Sequence, residues 1–201
     1  MLSLVALSID AMLPALPAIG SDLGVSDANH NQLVVTMLML GMAFGQIIYG
    51  PLSDSTGRKP AVCLGLVIFA GGCLLSIVAT SYPLMLVGRF AQGLGVASPR
   101  VVIIALVRDC YEGRAMARVM SFVMAVFILV PVIAPALGQG ILLIADWRSI
   151  FVTFLLLAVV MLVWFMWRQP ETLLRERRAP FSLRRIAGAV REVCTSRAAL
   201  G

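Results

Sequence analysis

Apolar residues in this sequence neither alternate with polar ones nor keep to one helical face; they come in unbroken runs. Six of these runs are close to the ~20 residues that carry an α-helix across ~30 Å of hydrocarbon. They cover residues 2–19, 31–52, 61–79, 83–107, 119–144 and 150–167, so 1–167 reads as one bundle of membrane-spanning helices. A membrane barrel is excluded, because its strands are ~10-residue segments of alternating polarity. The first run lacks a basic start, carries Asp10 and is interrupted by Pro14 and Pro17. It therefore reads as a span rather than a cleaved leader.

Composition agrees with this picture. The chain is 60% hydrophobic and 13% charged over 201 residues, against about 25% charged in an average soluble domain. Its net charge of +6 is a matter of topology, because basic residues near span ends stay in the cytoplasm. Arg58 and Lys59 follow the second run, and Arg108, Arg114 and Arg118 follow the fourth. Arg168, Arg175, Arg177, Arg178, Arg184, Arg185, Arg191 and Arg197 follow the sixth. The opposite loops hold Asp22, Asp27, Asp146 and Arg148. The expectation is a multi-pass protein with its C-terminal end cytoplasmic, membrane lipid as a partner and no nucleic acid.

Residues 168–201 read as a basic cytoplasmic linker. Within it Leu183, Ile186, Ala187, Val190 and Cys194 share one helical face, opposite Arg184, Arg185, Arg191 and Glu192. That is the pattern of an amphipathic helix lying on anionic lipid, with a disordered linker the equal reading for 175–180. Cys63, Cys73, Cys110 and Cys194 show neither a disulfide framework nor zinc spacing, and no metal site is expected. The single histidine, His30, reads as a solvated loop residue. No nucleophile or acid–base cluster accompanies it, so the chain is not read as an enzyme.

Three charges interrupt the runs: Asp10, Arg89 and Arg100. Each costs ~2.5–3.5 kcal/mol at a helix centre, so each should face the bundle interior or a watery cavity. Arg100 is close enough to the cytoplasmic end to snorkel, and a structural or a functional role is equally open to it. Asp10 and Arg89 lie deeper. They read either as a static buried ion pair or as a proton-coupling pair. Small residues (Gly41 and Gly45, Ala91 and Gly95, Gly71 and Gly72) and Pro99, Pro131 and Pro135 allow close packing and bends in either case.

The turn between the second and third runs reads Gly50-Pro-Leu-Ser-Asp54-Ser-Thr-Gly57-Arg58-Lys59-Pro60. It resembles the G-x-L-x-D-x-x-G-R-K/R signature of the major facilitator superfamily. Arg89-Phe-Ala-Gln92-Gly93 resembles the R-x-x-Q-G motif of that family's fourth span. Asp10-Ala-Met-Leu13-Pro14-Ala-Leu-Pro17, Val107-Arg108-Asp109 with Glu112-Gly113-Arg114, and Pro170-Glu171-Thr172-Leu173 are similar to stretches of the bicyclomycin-resistance (Bcr/CflA) group of drug:proton antiporters. In the fifth span Ala134-Pro135-Ala136-Leu137-Gly138-Gln139 matches the antiporter pattern G-P-x-x-G-G only at Pro135 and Gly138.

The resemblance implies an all-α integral membrane fold. It is a six-transmembrane-helix bundle, a 3+3 inverted repeat, forming the N-terminal half of a twelve-helix transporter. It also implies the bacterial inner (plasma) membrane and a missing C-terminal six-helix half as partner, this chain being a half or fragment. The function implied is proton-coupled export of small amphipathic compounds, multidrug efflux by antiport. Protons and those compounds are the partners, and the proton gradient drives transport with no cofactor. Asp10 and Arg89 would couple protons. Gly50, Asp54, Gly57, Arg58, Lys59 and Asp109 would form a cytoplasmic gate, with Arg58 paired to Asp109. Met12, Met39, Gln46, Gln92 and Met124 are cavity-lining candidates, and Pro131, Pro135 and Gly138 carry the fifth-span motif. A nutrient or metabolite carrier of the same superfamily and a non-transporting membrane scaffold are the alternatives.

Overall fold

The computed structural model describes residues 1–25, 28–173, 176 and 178. Six helical segments in it are long and apolar enough to cross a membrane. The first is broken: α1 (Ser3–Asp10), a 3-10 turn at Leu13–Ala15, then α2 (Leu16–Asp22). Pro14 and Pro17 have no N–H to give the preceding turn, so the α-helical ladder cannot run through them. The short α3 (Ala28–Asn31) leads into α4 (Leu33–Thr56), the second span. The third to sixth spans are α5 (Arg58–Ile77), α6 (Tyr82–Cys110), α7 (Gly113–Leu142) and α8 (Arg148–Arg168).

The helices outrun the apolar runs at the basic end. α4 continues to Thr56, α6 to Cys110, and α7 starts at Gly113 rather than near 119. Hydropathy marks the residues that meet hydrocarbon. Backbone hydrogen bonding continues through polar turns into the interface.

α6 is the centre, with α4 along one side and α5 along the other; α5 also packs on α8, and α1 on α7. Small residues set these seams. A Cβ on Gly93 would stand 2.9 Å from Met42 N of α4, and one on Gly72 would stand 2.6 Å from Gln92 N of α6. Gly138 of α7 lies against the backbone of Ala11 at the end of α1. Exchanging spans 1, 2 and 3 with 4, 5 and 6 turns the α4–α6 seam into the α7–α1 seam and maps α5–α8 onto itself. The correspondence is partial, since the α5–α6 seam has no counterpart of like extent between α8 and α1.

The outer surface is apolar. On α7, Phe122 is 71% exposed and Val132 73%, and on α8 Trp167 is 90% exposed. Such side chains need hydrocarbon or another helical surface over them. At the end away from Arg58, Arg148 Nη1 donates to Asp22 Oδ2 at 2.8 Å and its Nη2 to Ala79 O at 3.1 Å. The same guanidinium lies 4.2 Å from the Trp147 ring centroid. These contacts tie the ends of spans 1, 3 and 6. The expected amphipathic helix at Leu183, Ile186, Ala187, Val190 and Cys194 lies outside the described residues, as does Asp27.

Candidate functional site: a buried arginine and a clamped turn

The Arg89 side chain is wholly inaccessible to solvent. Its Nε donates to Val34 O of α4 at 3.1 Å, Nη1 to Gln92 Oε1 at 2.7 Å, and Nη2 to Ser8 O of α1 at 2.8 Å. The guanidinium also stands 5.8 Å from the Phe151 ring centroid of α8. Gln92 passes the network on, its Nε2 donating to Gly72 O at 3.1 Å and to Ser76 Oγ at 2.9 Å on α5. One side chain thus ties spans 1, 2, 4 and 6 directly, and span 3 through its neighbour.

The partners are neutral dipoles. Ser8 O belongs to the last turn of α1, where carbonyls lack intrahelical donors and the helix end carries partial negative charge. A cation is well suited to that position. The proline break after Asp10 is what leaves this helix end inside the membrane for Arg89 to reach.

The static Asp10–Arg89 ion pair is not formed. Among the described residues Arg89 has no carboxylate within salt-bridge distance. Asp10 follows Ser8 by two residues, about 200° around the helix, so the α1 face that meets Arg89 turns Asp10 away. Asp10 is partly exposed.

The second site is the turn after α4. Gly57 has φ 112°, a backbone conformation closed to most L-residues, and its N–H still bonds Ser53 O at 3.1 Å. This reversal starts α5 at Arg58, whose side chain folds back. Arg58 Nε donates to Asp109 Oδ2 at 2.9 Å, and its Nη1 to Asp54 Oδ1 at 2.5 Å and Ser53 Oγ at 2.8 Å. Asp54, Arg58 and Asp109 are therefore brought together across the ends of α4, α5 and α6. Lys59 points elsewhere, its Nζ donating to Met166 O of α8 at 2.7 Å. Gly50 contributes a carbonyl that accepts from Ser53 Oγ at 2.9 Å.

Glu171 was not given a role by the sequence reading. Its carboxylate accepts from Arg58 N at 2.9 Å and Lys59 N at 3.1 Å, capping the first turn of α5 from beyond the sixth span. It also accepts from Leu173 N at 3.0 Å. A Cβ on Gly57 would run into this carboxylate. The stretch Pro170 to Leu173 was the signal, but a cap supplied from so far along the chain has no local spacing to give it away.

The cavity-lining candidates divide. Met39 and Gln46 of α4 are exposed, and Met124 of α7, also exposed, lines a hollow beside Arg100. Met12 and Gln92 are fully buried. Met12 falls on the packed face of the broken first span, and Gln92 is occupied by Arg89, Gly72 and Ser76. In α7, Pro131 and Pro135 are partly buried and Gly138 is buried on Ala11.

Comparison with known proteins shows the family. The chain is 39% identical over 145 residues to multidrug resistance protein MdtL of Klebsiella pneumoniae, a match covering 72% of this chain and 37% of that protein. It is 36% identical over 179 residues to a bicyclomycin resistance protein homolog of Haemophilus influenzae, covering 89% of this chain and 45% of that one. The chain thus spans less than half the length of these curated relatives. The crystal structure of the human organic anion transporter MFSD10 superposes with a TM-score of 0.65 at 22% identity. That superposition covers 92% of this chain and 51% of the other, a likeness of fold. The family profile of the Major Facilitator Superfamily matches residues 1–200. With its six spans and its close relatives among transporters, the chain belongs to the Major Facilitator Superfamily.

Proposed function

We propose that this chain is the first half of a proton-coupled carrier that exports small amphipathic compounds, with the Arg58 turn on the cytoplasmic side. The observation that carries the reading is Arg89, a fully buried cation held by carbonyl and amide dipoles alone. It fixes the broken end of α1 and leaves Asp10 partly exposed, able to take and release a proton. Asp10 is the proton carrier in this scheme and Arg89 a positioning residue. The Arg58–Asp109 clamp closes the cytoplasmic end in one of the two alternating states.

The driving force is adequate. One proton moved down ~150 mV supplies ~3.5 kcal/mol, enough for a gradient of several hundredfold in a neutral compound. Relatives named for multidrug and bicyclomycin resistance support export over uptake. So does the scarcity of hydrogen-bonding side chains on the open faces, which a nutrient site would need. A dye panel tests the proposal in cells expressing the full-length gene. Efflux is expected to collapse with the proton gradient, and efflux indifferent to that gradient would overturn it.

A further inference from the structure

Two neighbouring hollows lie beside the fourth and fifth spans, the larger bounded also by the start of the first span and the end of the sixth. The larger, about 290 Å³, is walled by apolar side chains such as Ile103 and Phe122. The smaller, about 120 Å³, is lined by Arg100, Ile104, Met124 and Phe127, and Leu2 of the first span borders both. Arg100 is partly buried. It has no hydrogen bond or ion pair to any described residue, whereas Arg58, Arg89 and Arg148 are each held by several acceptors.

A guanidinium offers five N–H donors in a planar fork that matches a carboxylate or sulfonate in a bidentate fashion. Within the membrane, an arginine normally finds an acceptor or reaches the interface. Here Arg100 lines the smaller of two largely apolar hollows, the larger of which also meets Met1 and Gln169. We propose that Arg100 is a substrate-binding residue for amphipathic anions, taking the acidic head group while the apolar body lies along Ile103 and Phe122. Methionine and phenylalanine beside the cation suit an aliphatic or aromatic body of variable shape. The site is separate from the Arg89 network, which is fully buried.

The inference names a substrate class for the carrier reading and rests on it. Equilibrium binding tests it without a proton gradient, so the two fail separately. The full-length gene product, held in phosphatidylcholine nanodiscs, is titrated with dansylated undecanoic acid and with its methyl ester. The acid is expected to bind at least about tenfold tighter than the ester, a free-energy difference of ~1.4 kcal/mol. Arg100→Gln should remove that preference and leave ester binding within about twofold, the scale of a surface change. Arg100→Lys should restore most of it, because a point cation still attracts the acid. Equal binding of acid and ester, or an acid preference untouched by Arg100→Gln, would overturn the proposal. So would loss of acid binding in phosphatidylglycerol nanodiscs, which would assign the groove to anionic lipid. Proton-dependent efflux of neutral dyes surviving any of these results would leave the carrier reading standing.

Discussion

Glu171→Gln removes one negative charge from the start of α5 and keeps the side chain's shape. In the native protein the carboxylate accepts from Arg58 N at 2.9 Å and Lys59 N at 3.1 Å. The amide can keep only one of these bonds, and that bond no longer has an ionised acceptor. Hydrogen bonds to charged groups contribute ~1.5–3 kcal/mol against ~0.5–1.5 for neutral pairs. The charge's interaction with the helix end adds ~0.3–1 kcal/mol. After allowance for partial exposure, the loss is about 1–2 kcal/mol of local stability, or roughly a 5–30-fold shift in the closed–open ratio. Hydrogen–deuterium exchange on the detergent-solubilised protein reads this directly at the Arg58 and Lys59 amides. Exchange there should accelerate by that factor, with no change in the middle of α6. Unchanged exchange in both Glu171→Gln and Glu171→Ala would refute the cap and with it the tie between the third span and the segment after the sixth.

Other outcomes follow from the same geometry. Gly93→Ala places a methyl against Leu38 and Met42 backbone and should lower stability by about 1–3 kcal/mol, whereas Gly71→Ala meets nothing within 4 Å and should be neutral or better. Thermal unfolding in detergent separates the two, and equal melting temperatures would contradict the α4–α6 seam. In an Arg58→Ala and Asp109→Ala double-mutant cycle, unfolding in mixed micelles should show coupling of about 1–2 kcal/mol. Arg58→Lys should keep only part of it, since an ammonium cannot span Asp109, Asp54 and Ser53 together. Coupling near zero would mean that the clamp is open in solution.

The spans were legible because bilayer length is written into apolar runs, and the break in the first because Pro14 and Pro17 cannot donate. The turn was legible because Gly57, Arg58 and Asp54 lie within a few residues of one another. Arg89 stood out as a charge where none is cheap, but its partners did not. Ser8 O and Val34 O are backbone carbonyls, which every residue possesses, and only packing selects them. For the same reason the ion-pair alternative looked natural in the sequence. Side-chain charge is visible there, whereas the half-turn that faces Asp10 away from Arg89 is a property of helix phase.

The central claim is that Asp10 exchanges a proton for substrate while Arg89 holds the first span in place. Proton release on adding an exported dye to the solubilised full-length protein, in weakly buffered solution, tests it most directly. The wild type should release protons in step with bound dye. Asp10→Asn should bind dye and release none, and Arg89→Lys should weaken both. Undiminished release from Asp10→Asn would contradict the account.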